Sequence, residues 1–201
     1  MANPPQWLGM KYPDSDLVGL LYRYARPVRD TRMTALDVGC GSGRHLAVLR
    51  DLGYQAIGID NDPVAVDNAE HNGLDAVLGD ASAYNPPIPP DLVVGWGFTM
   101  IVPCAQDILT GWSPGLVILD WRSRNNTWAH YVDNEWLSDG RVRIVKEGHI
   151  LNGLVYRLST PDECEIPGYE RIRFQTVTKQ DGVECNEWYQ TVHRRLNGTA
   201  N

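Results

Sequence analysis

The sequence predicts an α/β fold with a doubly wound, mostly parallel sheet. Short apolar runs alternate along the chain with segments of helical periodicity, and Gly, Pro and Asp separate them at regular intervals. The runs are apolar throughout, as in strands that are covered on both faces, and such strands occur in parallel sheets with helices on either side. The order of these segments therefore predicts right-handed strand–helix–strand units.

Five strands make up the parallel part of the predicted sheet. They are the apolar runs at residues 34–38, 56–60, 76–80, 91–95 and 115–120. A helix capped near Asp14 precedes them and should stop at Pro27. Residues 44–52 form a second predicted helix and residues 63–72 a third, which Gly73 ends.

Beyond residue 120 the pattern becomes that of antiparallel strands. Residues 141–159 are strand-like, and residues 169–178 and 186–196 alternate in polarity like the two arms of a hairpin. Between them, only residues 159–163 offer a capped helix start, which Pro167 ends at once. We therefore expect an antiparallel C-terminal hairpin and a helix of a single turn before it.

The length of the chain, its N-terminal segment and the positions of its cysteines limit the class of protein. The chain has 201 residues, of which 43% are hydrophobic and 21% charged, as in one globular domain. It shows no basic leader followed by an apolar run and no stretch near the roughly 18 apolar residues of a membrane span, so we expect a cytoplasmic protein without a membrane partner. The cysteines at 40, 104, 164 and 185 are too far apart for a zinc site, so we predict reduced thiols and no metal.

Net charge argues against nucleic acid as a partner. Residues 34–120 carry two basic and eleven acidic side chains, whereas residues 121–201 carry eleven of each. Binding to a phosphate backbone needs clustered Lys and Arg, which release counterions. The arginines at 23, 26, 29 and 32 form a local basic run, which we interpret as a solvated helix end and loop. We predict that nucleic acid is not the partner.

A glycine-rich turn follows the first predicted strand. Glycines there let backbone amides approach a ligand where a Cβ would clash, so the turn predicts a nucleotide-like ligand. The candidate residues of this turn are Asp37, Gly39, Cys40, Gly41 and Gly43.

Two further polar signals stand at the ends of the second and third strands. Asp60 lies 19 residues past Gly41, where a carboxylate can accept hydrogen bonds from ribose hydroxyls. Asp80 and Ala81 follow the third strand, where a carboxylate and the next amide can bind an adenine edge. Ligands in such sheets bind at the carboxyl ends of the strands, so the three signals predict one site.

The segments "ALDVGCGSGRHLAVL", "GIDNDPVAV" and "GDA" resemble motifs one to three of the class I S-adenosylmethionine-dependent methyltransferases. The resemblance covers about residues 34–97. It implies a Rossmann-like seven-stranded sheet, mostly parallel with an antiparallel C-terminal hairpin, and S-adenosylmethionine as cofactor. It also implies that the glycine turn holds the methionine part, Asp60 the ribose, and Asp80 with Ala81 the adenine, and Asn61 is a further candidate cofactor contact. NAD enzymes, the alternative, typically show GxGxxG rather than GxGxG.

The same resemblance divides the chain, which we expect to form one domain over residues 1–201. Residues 1–33 would be an N-terminal helical cover, 34–120 the cofactor-binding core and 121–201 the substrate-side and antiparallel part. Trp7 and the segment from Tyr12 to Ser15 resemble the start of small-molecule methyltransferases in which this segment covers the cofactor. Packing of Tyr12 onto the sheet is the alternative interpretation.

The segment after the fourth strand is the expected reaction site. Asn85-Pro86-Pro87-Ile88 resembles the Asn-Pro-Pro-aromatic motif of enzymes that methylate exocyclic amines, but it precedes that strand and ends in Ile88 rather than an aromatic. We interpret it as a proline-rich loop. Trp96 stands at the predicted reaction site and is the last candidate cofactor contact.

No catalytic base is assigned by the sequence. The candidates, each also explicable as a structural group, are His45, Asp120, His130 and Tyr131, with His193 farther away. Tryptophans that could enclose an apolar acceptor stand at 96, 112, 121, 128, 136 and 188. The leading hypothesis is a methyltransferase that acts on an O, N or C nucleophile of a small molecule or saccharide. The alternatives are a cofactor-binding regulatory protein without turnover and, behind it, a methyltransferase of nucleic acid or protein. The sequence does not fix the oligomeric state.

Overall fold

A seven-stranded sheet organises the fold. The computed structural model describes residues 12–25, 32–131, 133–148 and 152–196. Five parallel strands come first along the chain: β1 Thr34–Val38, β2 Gln55–Asp60, β3 Ala76–Leu78, β4 Leu92–Gly95 and β5 Leu116–Arg122. Two long antiparallel strands follow later, β9 Tyr169–Asp181 and β10 Glu184–Arg195. The sheet order is β3-β2-β1-β4-β5-β10-β9, which confirms the predicted mostly parallel sheet with its C-terminal hairpin.

Three of the five α-helices lie where the apolar periodicity placed them, with shorter bounds, and the last two were not predicted. They are α1 Ser15–Leu20, α2 Leu46–Asp51, α3 Pro63–His71, α4 Phe98–Ile101 and α5 Ala105–Trp112. Asp14 caps α1, because its Oδ1 accepts the backbone N–H of Asp16 at 2.9 Å. The first helix was predicted to continue to Pro27, but the α-helix ends at Leu20, a π-helical turn follows over Leu21–Ala25, and Pro27 lies outside the described residues.

A second, small sheet accounts for the region between β5 and β9. Its strands are β6 Glu135–Trp136, β7 Arg141–Arg143 and β8 Val155–Arg157, all antiparallel. The sequence predicted strands here but not a separate sheet. The single helical turn predicted before the hairpin is confirmed as a 3-10 turn, Pro161–Cys164, with a capping box between Thr160 and Glu163.

Two apolar clusters fill the two sides of the main sheet. One joins Leu36 and Val38 of β1 to Tyr169 and Tyr189 of the hairpin, and the other joins Leu17 of α1 to further residues of β1, β4, β5 and β10. A third cluster lies beneath the small sheet and includes Trp128 and Tyr156. The carboxyl ends of the parallel strands remain open, so a site can form at that edge.

Candidate active site

A cavity of about 680 Å³ opens at the carboxyl edge of the parallel strands. This volume lies in the range of roughly 300–1,000 Å³ that is typical of small-molecule and cofactor sites. The turns after β1, β2, β3 and β4 form one wall of the cavity, which we call the cofactor wall. The opposite wall, which we call the acceptor wall, includes the end of β5 and the start of β10.

The glycine turn presents bare backbone to this cavity. Gly39 and Gly41 both line the cavity and have positive φ, +72° and +54°. A Cβ built on either residue would meet no atom within 4 Å, so the space beside them is open to a ligand. The Gly39 N–H donates to the Ile59 carbonyl at 2.8 Å, which ties the turn to β2.

Asp60 holds two loops in place as well as lining the cavity. Its Oδ2 accepts the Gly41 N–H at 2.8 Å and its Oδ1 accepts the Asp62 N–H at 3.0 Å. A carboxylate has about four lone-pair sites, so these two bonds leave capacity for ligand donors. Asn61 lines the same wall and is exposed. The structure therefore brings Asp60, Asn61 and the glycine turn together as predicted.

Asp80 and Ala81 extend this wall past β3. The Asp80 Oδ1 accepts both the backbone N–H and the hydroxyl of Ser82, each at 2.8 Å, and these bonds lower the pKa of the Asp80 carboxyl. The carboxyl group therefore stays ionised and fixed in orientation. Ala81 lines the cavity beside it and packs against the apolar cluster of β1.

Trp96 and Asp120 meet where the two walls join. Trp96 follows β4 and is half-buried at the cavity wall. The Asp120 Oδ1 accepts the Gly97 N–H at 2.5 Å, and the Asp120 carbonyl accepts the Thr99 hydroxyl at 2.6 Å. Burial raises the pKa of the Asp120 carboxyl to about 6, although the Gly97 hydrogen bond and the charge of Arg122 oppose this shift.

Three of the predicted cofactor contacts do not line the cavity, and a fourth lines it although its residue is buried. Tyr12 is 84% exposed and Asp37 is buried, and neither lines the cavity. Gly43 does not line it either: its φ of +84° favours glycine, and a Cβ there would lie 2.5 Å from the end of the Leu74 side chain, which would have to shift. Cys40 lines the cavity but is buried, with its Sγ facing Gly58 of β2. Trp7 lies outside the described residues.

The candidate catalytic bases differ in whether they line the cavity. His45 and Asp120 line the cavity, whereas His130 is exposed and Tyr131, which donates a hydrogen bond to Glu184, lies elsewhere. Burial lowers the pKa of His45 to about 3, and its Nε2 faces the Asp14 N–H at 3.4 Å. His193 is fully buried in β10, away from the cavity. Asp120 is therefore the candidate base that geometry retains best.

The acceptor wall combines aromatic and charged side chains, and the sequence predicted its tryptophans but not its charged residues other than Asp120. Of the six tryptophans expected there, 96, 128 and 188 line the cavity, 112 and 121 are core residues, and 136 is half exposed. Arg122, Tyr156 and Lys179 complete the wall. Asp14 and Asp16, at the start of α1, close it from the N-terminal side.

Residues 35–111 match the family model described as methyltransferase domain. Residues 35–111 are thus a methyltransferase domain, and the sheet around it is the mostly parallel seven-stranded one that the resemblance to class I S-adenosylmethionine-dependent methyltransferases implied. No curated protein matches the methyltransferase. Among its described residues, no helix is long and apolar enough to cross a membrane, and no three His, Cys, Asp or Glu side chains are grouped as a metal site requires.

Solved structures share the fold of this methyltransferase. A SAM-dependent methyltransferase from Methanosarcina mazei is 18% identical, with 88% of this chain and 97% of that one covered and a TM-score of 0.66. Magnesium protoporphyrin IX methyltransferase from Synechocystis with bound SAH is 14% identical, with 90% and 81% covered and a TM-score of 0.65. An S-adenosylmethionine-dependent methyltransferase from Mesorhizobium loti is 12% identical, with 90% and 96% covered and a TM-score of 0.63.

Proposed function

We propose that this methyltransferase acts on an O, N or C nucleophile of a small molecule or saccharide that enters the cavity beside the cofactor. The observation that carries the proposal is the continuity of the cavity from the glycine turn to the aromatic acceptor wall. Its volume of about 680 Å³ suits a cofactor and a small acceptor together. The acceptor wall also sets aromatic side chains beside charged groups, which can fix the orientation of a compact ligand.

Within this proposal, the cofactor wall binds S-adenosylmethionine, which supplies an electrophilic methyl group when bound. The wall fits such a molecule because Gly39 and Gly41 leave open space and Asp60 keeps free acceptor capacity. We assign the methionine part to the glycine turn, the ribose to Asp60 and Asn61, and the adenine to Asp80 and Ala81. Trp96 would face the region where the two walls meet.

Asp120 is the proton acceptor that we propose for acceptors whose nucleophile carries a proton. Its carboxyl lies at the junction of the walls, and a pKa near 6 leaves it mostly ionised at neutral pH and still basic enough to hold a proton. The Gly97 N–H takes one lone pair of Oδ1 and so leaves the carboxylate capacity to accept a proton from the acceptor.

Incubation with S-adenosylmethionine labelled in the methyl group tests this function. Fractionated small metabolites and saccharides, protein, RNA and DNA serve as separate acceptor pools, and S-adenosylhomocysteine release is measured alongside the label. We expect label in a small-molecule pool and loss of it in Asp120→Asn, with Asp107→Asn of α5 as the matched control. Label found only in protein or nucleic acid would contradict the proposal.

A further inference from the structure

Arg122 stands out among the side chains of the acceptor wall because its charge is enclosed and incompletely paired. It ends β5, where it pairs across the sheet with Trp188 of β10. Its guanidinium carbon lies 4.4 Å from the centroid of the Trp188 ring and 5.6 Å from that of Trp128. Both rings and Arg122 line the cavity. The guanidinium is therefore held at the ligand space by two aromatic faces.

At least one donor of Arg122 is not used by any described residue. Its Nε is shielded from solvent and has no hydrogen-bond partner among the described residues. Within the same described part of the chain, no carboxylate lies within 4.0 Å of the guanidinium as an ion-pair partner, although Asp120 acts on it at longer range. An enclosed charge with unused donors is costly, so a ligand oxygen that accepts from the guanidinium where Arg122 lines the cavity would gain a charge-assisted bond.

Nearby cations show that this arrangement is particular to Arg122. Arg124, two residues further on, donates to Glu163 at 2.8 Å and is 42% exposed. Lys179 also lines the cavity and lies 5.6 Å from the Trp188 centroid, but its Nζ is 3.8 Å from Asp16. Arg122 is thus the cation of this wall that retains capacity for an anion.

We propose that Arg122 binds the carboxylate of a planar, aromatic acceptor, and this inference rests on the small-molecule function proposed above. A guanidinium presents its N–H groups in one plane, which matches the two oxygens of a carboxylate. The faces of Trp128, Tyr156 and Trp188 suit a flat ring beside it. Asp14, Asp16 and Asp120 line the same space, so a singly charged carboxylate is favoured over a doubly charged phosphate.

Binding to the protein saturated with S-adenosylhomocysteine tests this inference without turnover. The probes are benzoate, 4-hydroxybenzoate and indole-3-carboxylate, each compared with its neutral amide of nearly equal shape. Titration calorimetry measures affinity, and the fluorescence of the seven tryptophans, which include the two rings beside Arg122, gives a second readout. We expect at least one carboxylate to bind at least tenfold more tightly than its amide. Equal affinity within every pair, or no binding of any probe, would overturn the inference.

Two variants test whether the preference for the carboxylate depends on Arg122. In Arg122→Gln the preference for the carboxylate should fall below threefold, whereas Arg124→Gln should keep it, and S-adenosylhomocysteine affinity should be unchanged in both. A preference retained in a folded Arg122→Gln also overturns the inference, and the wild-type comparison of acid and amide stands even if that variant does not fold. Failure of the proposed function looks different, because the label of the preceding experiment would then enter macromolecules only.

Discussion

Asp60 is the residue on which the cofactor assignment depends most. Because Asp60 also anchors the Gly41 and Asp62 amides, its removal takes away ligand bonds and loosens the glycine turn. Charge-assisted hydrogen bonds contribute roughly 1.5–3 kcal/mol each. We expect Asp60→Ala to weaken S-adenosylhomocysteine binding at least tenfold by calorimetry, and exposed Asp67→Ala of α3 to leave it unchanged. Equal affinities in a folded Asp60→Ala would remove the ribose assignment.

Asp37 makes the stability of the protein depend on pH. Both of its carboxylate oxygens are buried without hydrogen-bond partners among the described residues, and burial raises the pKa of Asp37 to about 7, opposed by Arg44 and reinforced by Asp60. The folded state thus holds this proton more tightly than the unfolded state, whose pKa is 3.8. The resulting penalty grows as pH rises from about 4 to about 7 and is constant above that.

Asp37→Asn should therefore gain stability relative to the wild type as pH rises. From the two pKa values, the gain between pH 5 and pH 8 is about 2.5 kcal/mol. Urea unfolding at pH 5 and pH 8 measures this gain in the free energy of unfolding. Asp51→Asn on the exposed side of α2 is the control. If the difference between variant and wild type were the same at both pH values, the buried carboxyl would not carry this penalty. Asp37 does not line the cavity, so this result bears on folding rather than on the cofactor.

At the scale of elements, two glycines of the glycine turn have different surroundings: Gly43 packs against side chains, and Gly41 faces open space. A side chain at Gly43 would have an unfavourable φ and would press on Leu74, Ala69 and Leu46, whereas a side chain at Gly41 would meet open space. We expect Gly43→Ala to lower the free energy of unfolding by at least about 2 kcal/mol, because positive φ costs roughly 1 kcal/mol and the overlap adds to it.

Gly41→Ala is the matched comparison for this substitution. It should cost only about 1 kcal/mol of stability, since it has the φ penalty alone, but it should reduce S-adenosylhomocysteine affinity more than Gly43→Ala does. Thermal unfolding and calorimetry on the two variants provide both measurements. The reverse ranking of stabilities would mean that the packing of α2 and α3 does not require glycine at 43.

The elements also show what could be predicted from the sequence and what could not. The five parallel strands were predictable because they stand as apolar runs between turn residues, and this holds even for β3, which lies at the edge of the sheet and is partly exposed. Helices α4 and α5 were missed, because four and eight residues separated by Pro103 give too little periodicity. The small sheet was missed as a separate unit, since pairing of its strands depends on tertiary contacts rather than on local pattern.

The two walls of the cavity differ in how far the sequence predicts their residues. The cofactor wall follows directly from three strand ends, so its residues could be predicted from one motif after another. The acceptor wall depends on β10 pairing with β5, which places Trp188 beside Arg122 across 66 residues of chain. One local signal was available: Asp120 and Arg122 alternate at the end of a strand, so both side chains project to the same face.

At the scale of the whole molecule, we propose that residues 1–201 fold as one domain. The cofactor half and the C-terminal part share both main clusters: Leu36 packs with Tyr189 in one, and Leu17 with Ile118 and Val192 in the other. The hairpin also extends the parallel sheet through β5 rather than forming a sheet of its own. Neither part could lose its structure without exposing apolar surface of the other.

One cooperative melting transition, moved by the cofactor product, is the expected consequence. Saturation with S-adenosylhomocysteine at about 100 times its dissociation constant should add roughly 2.7 kcal/mol to the stability of the folded state. For a domain of this size, 1 kcal/mol corresponds to about 2–4 °C, so calorimetry should show a rise of about 5–11 °C. NAD at the same concentration is the control and should leave the transition in place. Two separated transitions, of which S-adenosylhomocysteine moves only one, would mean that the C-terminal part unfolds independently and that the cofactor site does not depend on it. A shift by NAD alone would instead contradict the assignment of the glycine turn, because the cavity would then favour a dinucleotide.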